Sequence, residues 1–367
     1  MGKLNQITKS SVIFHFNKIK IKNVKNLFLF FLYFMSTFSF GQSLDTIQQN
    51  RANLLTEIGE KIKDNYIFAD IALKTDSLLN LEIKTANFKN LTNEEFAKKI
   101  TTYLRTVTKD KHFFVKYFSD NQTKPNIVNE KEQQKSDNFS NSLENFGFEN
   151  IKRLDGNIGY INFKGFAEPK ASETALASAM NFIANTNSSI IDLRENRGGD
   201  GGMLLQFCSY FFNNKIKLYD AYYRNKGKNI ENWTRNKVKG TKYLNKQVYI
   251  LTSKNTFSAA EGLSYFLQSY GIAKVIGEQT GGAANPVDHF IIDNKYLLLV
   301  PNGKITAMLT KNNWEQIGVI PNEIVKKESA LTKAHIIALN ELLKIRNKTE
   351  LSETEIRELI HKLEKEL

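Results

Sequence analysis

The chain of 367 residues carries a single cysteine, Cys208. No intrachain disulfide can form, and no cysteine-based metal site can be built. Cys208 sits in the apolar run Leu204–Phe212, where a buried structural thiol is expected. No paired His/Cys spacing suggests zinc, and no glycine-rich loop is followed by Lys-Ser/Thr to cradle a phosphate. Nothing implies a metal or an organic cofactor. No internal repeat is present. The formal charge is +13, yet no basic stripe with interleaved aromatics appears, which excludes nucleic acid as the expected partner. Residues 1–41 hold six Lys and no Asp or Glu, so the remaining chain carries only +7, spread as a lysine-rich solvated surface.

The longest apolar run, Leu27–Phe34, is too short for a membrane span, which needs about 20 residues. It follows Lys18, Lys20, Lys22 and Lys25 and precedes the small residue Gly41, the order of a signal peptide over 1–41. The expectation is an exported chain, periplasmic or secreted, with no membrane span after signal cleavage. An uncleaved N-terminal anchor is the alternative. No Cys near the cleavage point offers a lipid attachment site.

What is present is a helical region followed by alternating strands and helices. Residues 43–118 read as an N-terminal helical domain. Ile47, Leu54, Leu55, Ile58 and Ile62 repeat at helical spacing. Thr92 and Glu95 form a capping box before the apolar face Phe96, Ile100, Leu104 and Val107. Residues 119–144 read as a linker or mobile loop, since 119–138 are polar apart from Ile127 and Val128. Strands are expected over Asn157–Phe163, Ser189–Leu193, Val248–Thr252, Ala273–Gly277 and Tyr296–Val300. Helices are expected over Ala171–Ala184, Met203–Phe212 and from Ser258 to Tyr270. That alternation predicts an α/β domain over 145–328 with a mainly parallel sheet. Asn213–Lys246, rich in Lys, Asn and Tyr, is either a lid over a site or a surface excursion. C-terminal helices occupy 329–367, over Leu331–Ile345 and after the cap Ser352/Glu355.

Two segments carry candidate chemistry. At Thr252–Glu261 a buried strand ends and Ser258 opens a helix. Its hydroxyl and the amide of Ala259 then face one space, where the helix N-terminus favours negative charge. The plain alternative is that Ser258 is only an N-cap. It is not a G-x-S-x-G elbow. At Asp192–Gly202 four glycines after a hydrophobic strand free backbone amides to face a ligand; a flexible turn explains them equally. A serine needs a base. Of five histidines, His15, His335 and His361 lie in terminal segments, and spacing alone leaves His112 and His289 undecided.

Taken in order, these segments resemble the tail-specific, or C-terminal processing, serine peptidase superfamily. The resemblance is to its tricorn-like branch, which includes the interphotoreceptor retinoid-binding protein repeats, and it covers about residues 45–326. Six ordered motifs carry it: Asp110-Lys111-His112, Gly156–Tyr160, Asp192–Gly199, Thr256–Glu261, Gly277–Ala283 and Asn313–Pro321. The resemblance implies a ClpP/crotonase-like α/β core preceded by a helical domain, with no PDZ module. It implies a serine endopeptidase acting on a peptide or protein substrate. Ser258 resembles the nucleophile, His112 its base, and Glu315 the carboxylate that orients the histidine. The amides of Ala259 and of Gly198 or Gly199 resemble the oxyanion hole. The other branch uses a Ser–Lys dyad, and Ala283 stands at that lysine's position here. Lys111 stands where tricorn has serine, and Asn322 replaces the usual Asp after Pro321. A histidine base predicts activity that falls on acidification within roughly pH 5–8. The non-catalytic relatives suggest the alternative of a module binding apolar ligands such as retinoids or fatty acids. An acyl-CoA enzyme of crotonase type is a third, weaker fit. Oligomeric state is not readable from the sequence.

Overall fold

A computed structural model describes residues 45–119, 130–344 and 350–367. The expected signal peptide lies outside the described residues, as does most of the polar run after Ser119. The chain divides into two units, residues 1–52 with 87–90, and residues 53–86 with 91–367. In the smaller, Lys89 Nζ pairs with Asp45 at 2.6 Å and the amide of Phe88 donates to Gln48 Oε1 at 3.0 Å. All that follows belongs to the larger.

Three helices come first: α1, whose part in this unit is 53–65, α2 (Ala69–Thr85) and α3 (Asn93–Thr108). The expected capping box starts α3: Thr92 Oγ1 accepts from the amide of Glu95, and the Glu95 carboxylate accepts from the amide of Thr92. Its apolar face, Phe96, Ile100 and Leu104, is buried. Lys109 in the left-handed region (φ 60°) stops it. The helical region does not end in helix. Strand β1 (Phe114–Tyr117) leaves it to join a distant antiparallel sheet. Next comes α4 (Glu130–Leu143), a helix where the sequence suggested a linker. Its Glu, Lys and Gln are good helix formers, and Gln133 Nε2 donates to Asp137 Oδ1 one turn on at 2.7 Å. Polarity marked its exposure, not its lack of structure.

The α/β part runs β2 (Phe148–Leu154), β3 (Ile158–Phe163), α5 (Pro169–Ile183), β4 (Ser188–Asp192), α6 (Gly201–Cys208), β5 (Lys217–Tyr223), β6 (Lys228–Trp233), β7 (Gln247–Thr252), α7 (Ala259–Ser269), β8 (Ala273–Gly277), β9 (Val287–Ile292), β10 (Tyr296–Pro301), β11 (Gly303–Ala307), β12 (Glu323–Ile324), α8 (Ala330–Leu343) and α9 (Glu353–Glu364). The main sheet has the order β12-β8-β7-β4-β3-β2. All its neighbours are parallel except β2 and β3. This is the mainly parallel α/β core that the sequence predicts. Both faces of its central strands β3, β4 and β7 are covered, so these are buried on both sides. Ile161, Ile191, Val248, Ile250 and Val275 pack on the side of α5, α6 and α7. Ile158, Ile190, Leu251 and Ile276 pack against α8 and α9. Cys208 is fully buried among the first group, and burial pushes its thiol up, which makes it an inert core residue.

Two smaller antiparallel sheets, β1-β10-β9 and β11-β5-β6, complete the fold. The first carries the segment after His112 back to the chain near Ala284. The second includes the hairpin β5–β6, residues 217–233 of the segment Asn213–Lys246, so the middle of that segment is paired strand. No helix among the described residues is long and apolar enough to cross a membrane.

Candidate active site

Strand β7 ends in a tight turn. The amide of Ser253 donates to Thr256 Oγ1 at 2.9 Å, and that hydroxyl donates to the Leu193 carbonyl at 2.8 Å. The amide of Phe257 donates to the Asn196 carbonyl at 3.0 Å. These bonds force Ser258 to φ 55°, ψ −120°, a conformation costing about 1–3 kcal/mol for a residue with a Cβ. The motif G-x-S-x-G is missing, yet the same strained strand-to-helix turn is made. Such a turn lifts the hydroxyl out of the core.

Glu261, one turn into α7, holds the strain in place. It is fully buried and accepts four hydrogen bonds: from the amides of Ser258 (2.8 Å), Gly282 (2.6 Å) and Ala283 (3.0 Å), and from Thr280 Oγ1 (2.5 Å). One carboxylate thus ties the serine's backbone to the glycine-rich loop. Burial raises its pKa against those four bonds. Trp314 Nε1 closes the same loop by donating to the Ala283 carbonyl at 2.8 Å.

The glycine turn after β4 packs directly on the serine. A Cβ on Gly198 (φ 90°) would come within 2.7 Å of Ser258 Cβ. Asn196, fully buried, braces this turn. Its Nδ2 donates to the Phe163 carbonyl at 2.9 Å, and its Oδ1 accepts from the amide of Gly198 at 2.8 Å. That bond takes Gly198 off the list of oxyanion donors; its part is the close approach. The amides of Gly199 and Ala259 have no partner among the described residues, and both residues line the cavity beside Ser258.

His112 arrives from the other direction. After α3, Asp110 Oδ1 accepts from the amide of His112 at 3.0 Å, forming a short turn into β1. Pairing of β1 with β10 then fixes the ring, whose Nε2 lies 3.2 Å from Ser258 Oγ. The ring is buried, edge-on to Phe257 at 5.0 Å between centroids. His112 Nδ1 has no hydrogen-bond partner; the nearest recorded carboxylate oxygen is Asp110 Oδ1, at 3.9 Å. Glu315 Oε2 accepts from the amides of Ala284 (2.6 Å) and Asn285 (3.1 Å), while its Oε1 is buried and unpartnered. Asn285 Nδ2 donates to Asp110 Oδ2 at 2.9 Å. One ligand atom from each of Asp110, His112 and Glu315 lies within 4.8 Å of the others. The structure therefore brings together Ser258, His112 and Glu315, and adds Asp110 as a second carboxylate.

Burial, aided by the charge of Arg105, pushes His112 down to about 4. Burial raises Asp110 against hydrogen bonds from Asn285 and His112 and the charge of Arg105. Burial, then the neighbouring Asp110, raises Glu315. The imidazole is thus held neutral to lower pH than an ordinary histidine. Of the other histidines, His289 lies on β9 and lines the cavity, His335 Nε2 is 2.9 Å from the Asp155 carbonyl, and His361 lies on α9. His15 lies outside the described residues. Ala283, at the lysine position of the other branch, is fully buried.

The cavity at Ser258 encloses about 650 Å³, with Leu204, Tyr219, Val287, Ile305 and Trp314 among its apolar walls. Sequence reasoning missed Glu261, Asn196 and Asn285 as supports. Their signal was only that polar residues occur inside otherwise apolar, glycine-rich motifs.

Two family models match the chain. The model of peptidase family S41 matches residues 157–325, and the model for the N-terminal domain of that family in eukaryotic interphotoreceptor retinoid-binding protein matches residues 38–146. Among solved structures, a lipoprotein from Streptococcus agalactiae aligns with TM-score 0.52 at 14% identity, covering 79% of this chain and 96% of that one. A candidate peptidase from Parabacteroides merdae aligns with TM-score 0.51 at 18% identity, covering 74% of this chain and 87% of that one. At these identities the structural likeness speaks to the fold alone. Together with the ordered motifs, the two family matches identify this chain as a member of peptidase family S41, on the branch that includes the retinoid-binding protein repeats.

Proposed function

We propose that this chain is an exported serine endopeptidase working through Ser258, His112 and Glu315. The observation that carries this reading is the 3.2 Å approach of His112 Nε2 to the hydroxyl of a serine held at positive φ. With its ring proton on Nδ1, His112 accepts the Ser258 proton as Oγ attacks a peptide carbonyl. The oxyanion takes the amides of Gly199 and Ala259, one donor of this kind being worth about 10²–10³ in rate. Glu315 and Asp110 stabilise the imidazolium as it forms. His112 then protonates the leaving amine, and water releases the acyl group. The apolar walls around Leu204, Ile305 and Trp314 suit a substrate with an apolar side chain next to the cleaved bond.

The test is hydrolysis of a set of fluorogenic peptides by wild type and Ser258→Ala. Cleavage by wild type alone, strongest after apolar residues, is the expected result. A rate equal in the two proteins refutes the assignment. A second reading, a carrier of retinoids or fatty acids, draws on the same apolar walls. Saturable binding of such a ligand with no cleavage by wild type would favour it. Export rests on the composition of residues 1–41. N-terminal sequencing of the mature chain checks it, with a start near Gln42 expected.

A further inference from the structure

Two buried polar atoms behind the proposed catalytic histidine are unsatisfied. His112 Nδ1 and Glu315 Oε1 have no hydrogen-bond partner, and His112 is only 8% exposed. Asp110 Oδ1 lies 3.9 Å from Nδ1, and one donor atom from each residue falls within 4.8 Å of the others. An imidazole nitrogen with two carboxylates is a donor set of the kind that borderline divalent ions take. Around a tetrahedral ion at about 2.0–2.1 Å, ligand atoms lie about 3.3 Å apart. The cluster needs to contract by at most about 1.5 Å on that spacing, and His112 Nδ1 and Glu315 Oε1 have no bond to break in doing so. Charge points the same way. Asp110 and Glu315 face each other in a buried site, and a doubly charged cation offsets both. Asn285, whose Nδ2 holds Asp110 Oδ2 at 2.9 Å, orients that carboxylate from behind.

We propose that a divalent ion of the zinc class binds between His112 Nδ1, Asp110 and Glu315 and switches the serine off. The switching half rests on the reading of His112 as the base of Ser258; the binding half does not. A metal bond to Nδ1 displaces the ring proton to Nε2. Nε2 then donates toward Ser258 Oγ instead of accepting its proton, so the hydroxyl cannot be deprotonated. The same three side chains work as base and orienting carboxylates without the ion and as ligands with it. Residues 110 and 112 are far from 315 in sequence, so no local ligand spacing announces the site.

The test separates the two halves. Zinc chloride is titrated by calorimetry into metal-free Ser258→Ala, where binding is read without catalysis. One equivalent is expected to bind. Affinity should fall at least about 10-fold in both Ser258→Ala/Glu315→Gln and Ser258→Ala/Asp110→Asn, with circular dichroism checking the fold of each. Should one carboxylate variant not fold, the other and Ser258→Ala/His112→Ala decide. In wild type, the rate of labelling by a fluorophosphonate probe should drop at least about 10-fold at saturating zinc and recover with chelator. No stoichiometric uptake, or uptake undiminished in the folded variants, overturns the site. Uptake with labelling unchanged overturns the switch. Absence of labelling even without metal refutes the peptidase reading instead, and leaves the calorimetry to decide the site.

Discussion

The two halves of the active site are built differently. On the serine side the polar groups are tied down. Glu261 accepts four hydrogen bonds, Asn196 bridges Phe163 and Gly198, and Thr256 reaches the Leu193 carbonyl. On the histidine side His112 Nδ1, Glu315 Oε1 and Asn285 Oδ1 are all buried without a partner. The first half comes from one continuous sheet, at the ends of β4 and β7, where backbone geometry does the positioning. The second is assembled from segments distant in sequence, which meet through the β1–β10 pairing and through the bonds of Asn285 to Asp110 and Glu315. The comparison teaches that Ser258 and the amides of Gly199 and Ala259, the proposed nucleophile and oxyanion donors, are positioned by the core. His112, the proposed base, is placed by longer-range pairing, and its side of the site keeps polar capacity for another interaction, whether with a transition-state charge or an ion.

Substitutions should separate the halves. The largest effect is expected for His112→Ala, a loss of about 10⁴-fold in peptide hydrolysis with the melting temperature nearly kept. A fall in stability matching that in rate would show that the histidine side is braced after all. Glu261→Ala should act oppositely. It strands four buried donors and should remove more than about 3 kcal/mol of stability in denaturant unfolding. A melt unchanged within a degree or two would mean water replaces the carboxylate, and the contrast between the halves would fail. Glu315→Gln should slow hydrolysis about 10²-fold with little change in unfolding, since the amide oxygen can still accept from Ala284 and Asn285.

The smallest effect is on pH. His112 is lowered, so its base form persists as pH falls and is lost only through about 4. The groups around it are Asp110, Glu315, Arg105 and Tyr66. Hydrolysis should be flat from pH 8 to 5 and fall below. Stability has the same sign. Between about 6.5 and 4 the unfolded chain takes a proton that the folded site refuses, so this histidine's contribution is lost as pH falls. An acid limb near 6.5 would show an exposed, ordinary histidine and a looser base half than described.

Most of the fold was legible because its signals are local. Apolar strands bounded by turns, the Thr92/Glu95 and Ser352/Glu355 caps and the strand-to-helix turn at Ser258 each follow from a few neighbouring residues. The motif order pointed to Ser258, His112 and Glu315 before any geometry was known. What was hidden is non-local. Nothing near His112 says that Phe114 pairs with Leu299, and spacing alone left His112 and His289 undecided. Asn196 and Gly198 lie two apart, yet only the folded turn reveals that one consumes the other's amide. Helix α4 was hidden for another reason: polar composition reads as disorder when exposure is all it encodes.

The central claim is that Ser258 is a nucleophile activated by His112. The most direct measurement is reaction of metal-free wild type, Ser258→Ala and His112→Ala with a fluorophosphonate serine probe, with the modified residue mapped by mass spectrometry. Labelling of wild type alone, at Ser258, is the predicted result. Equal labelling of wild type and His112→Ala, or no labelling of folded wild type, would contradict it.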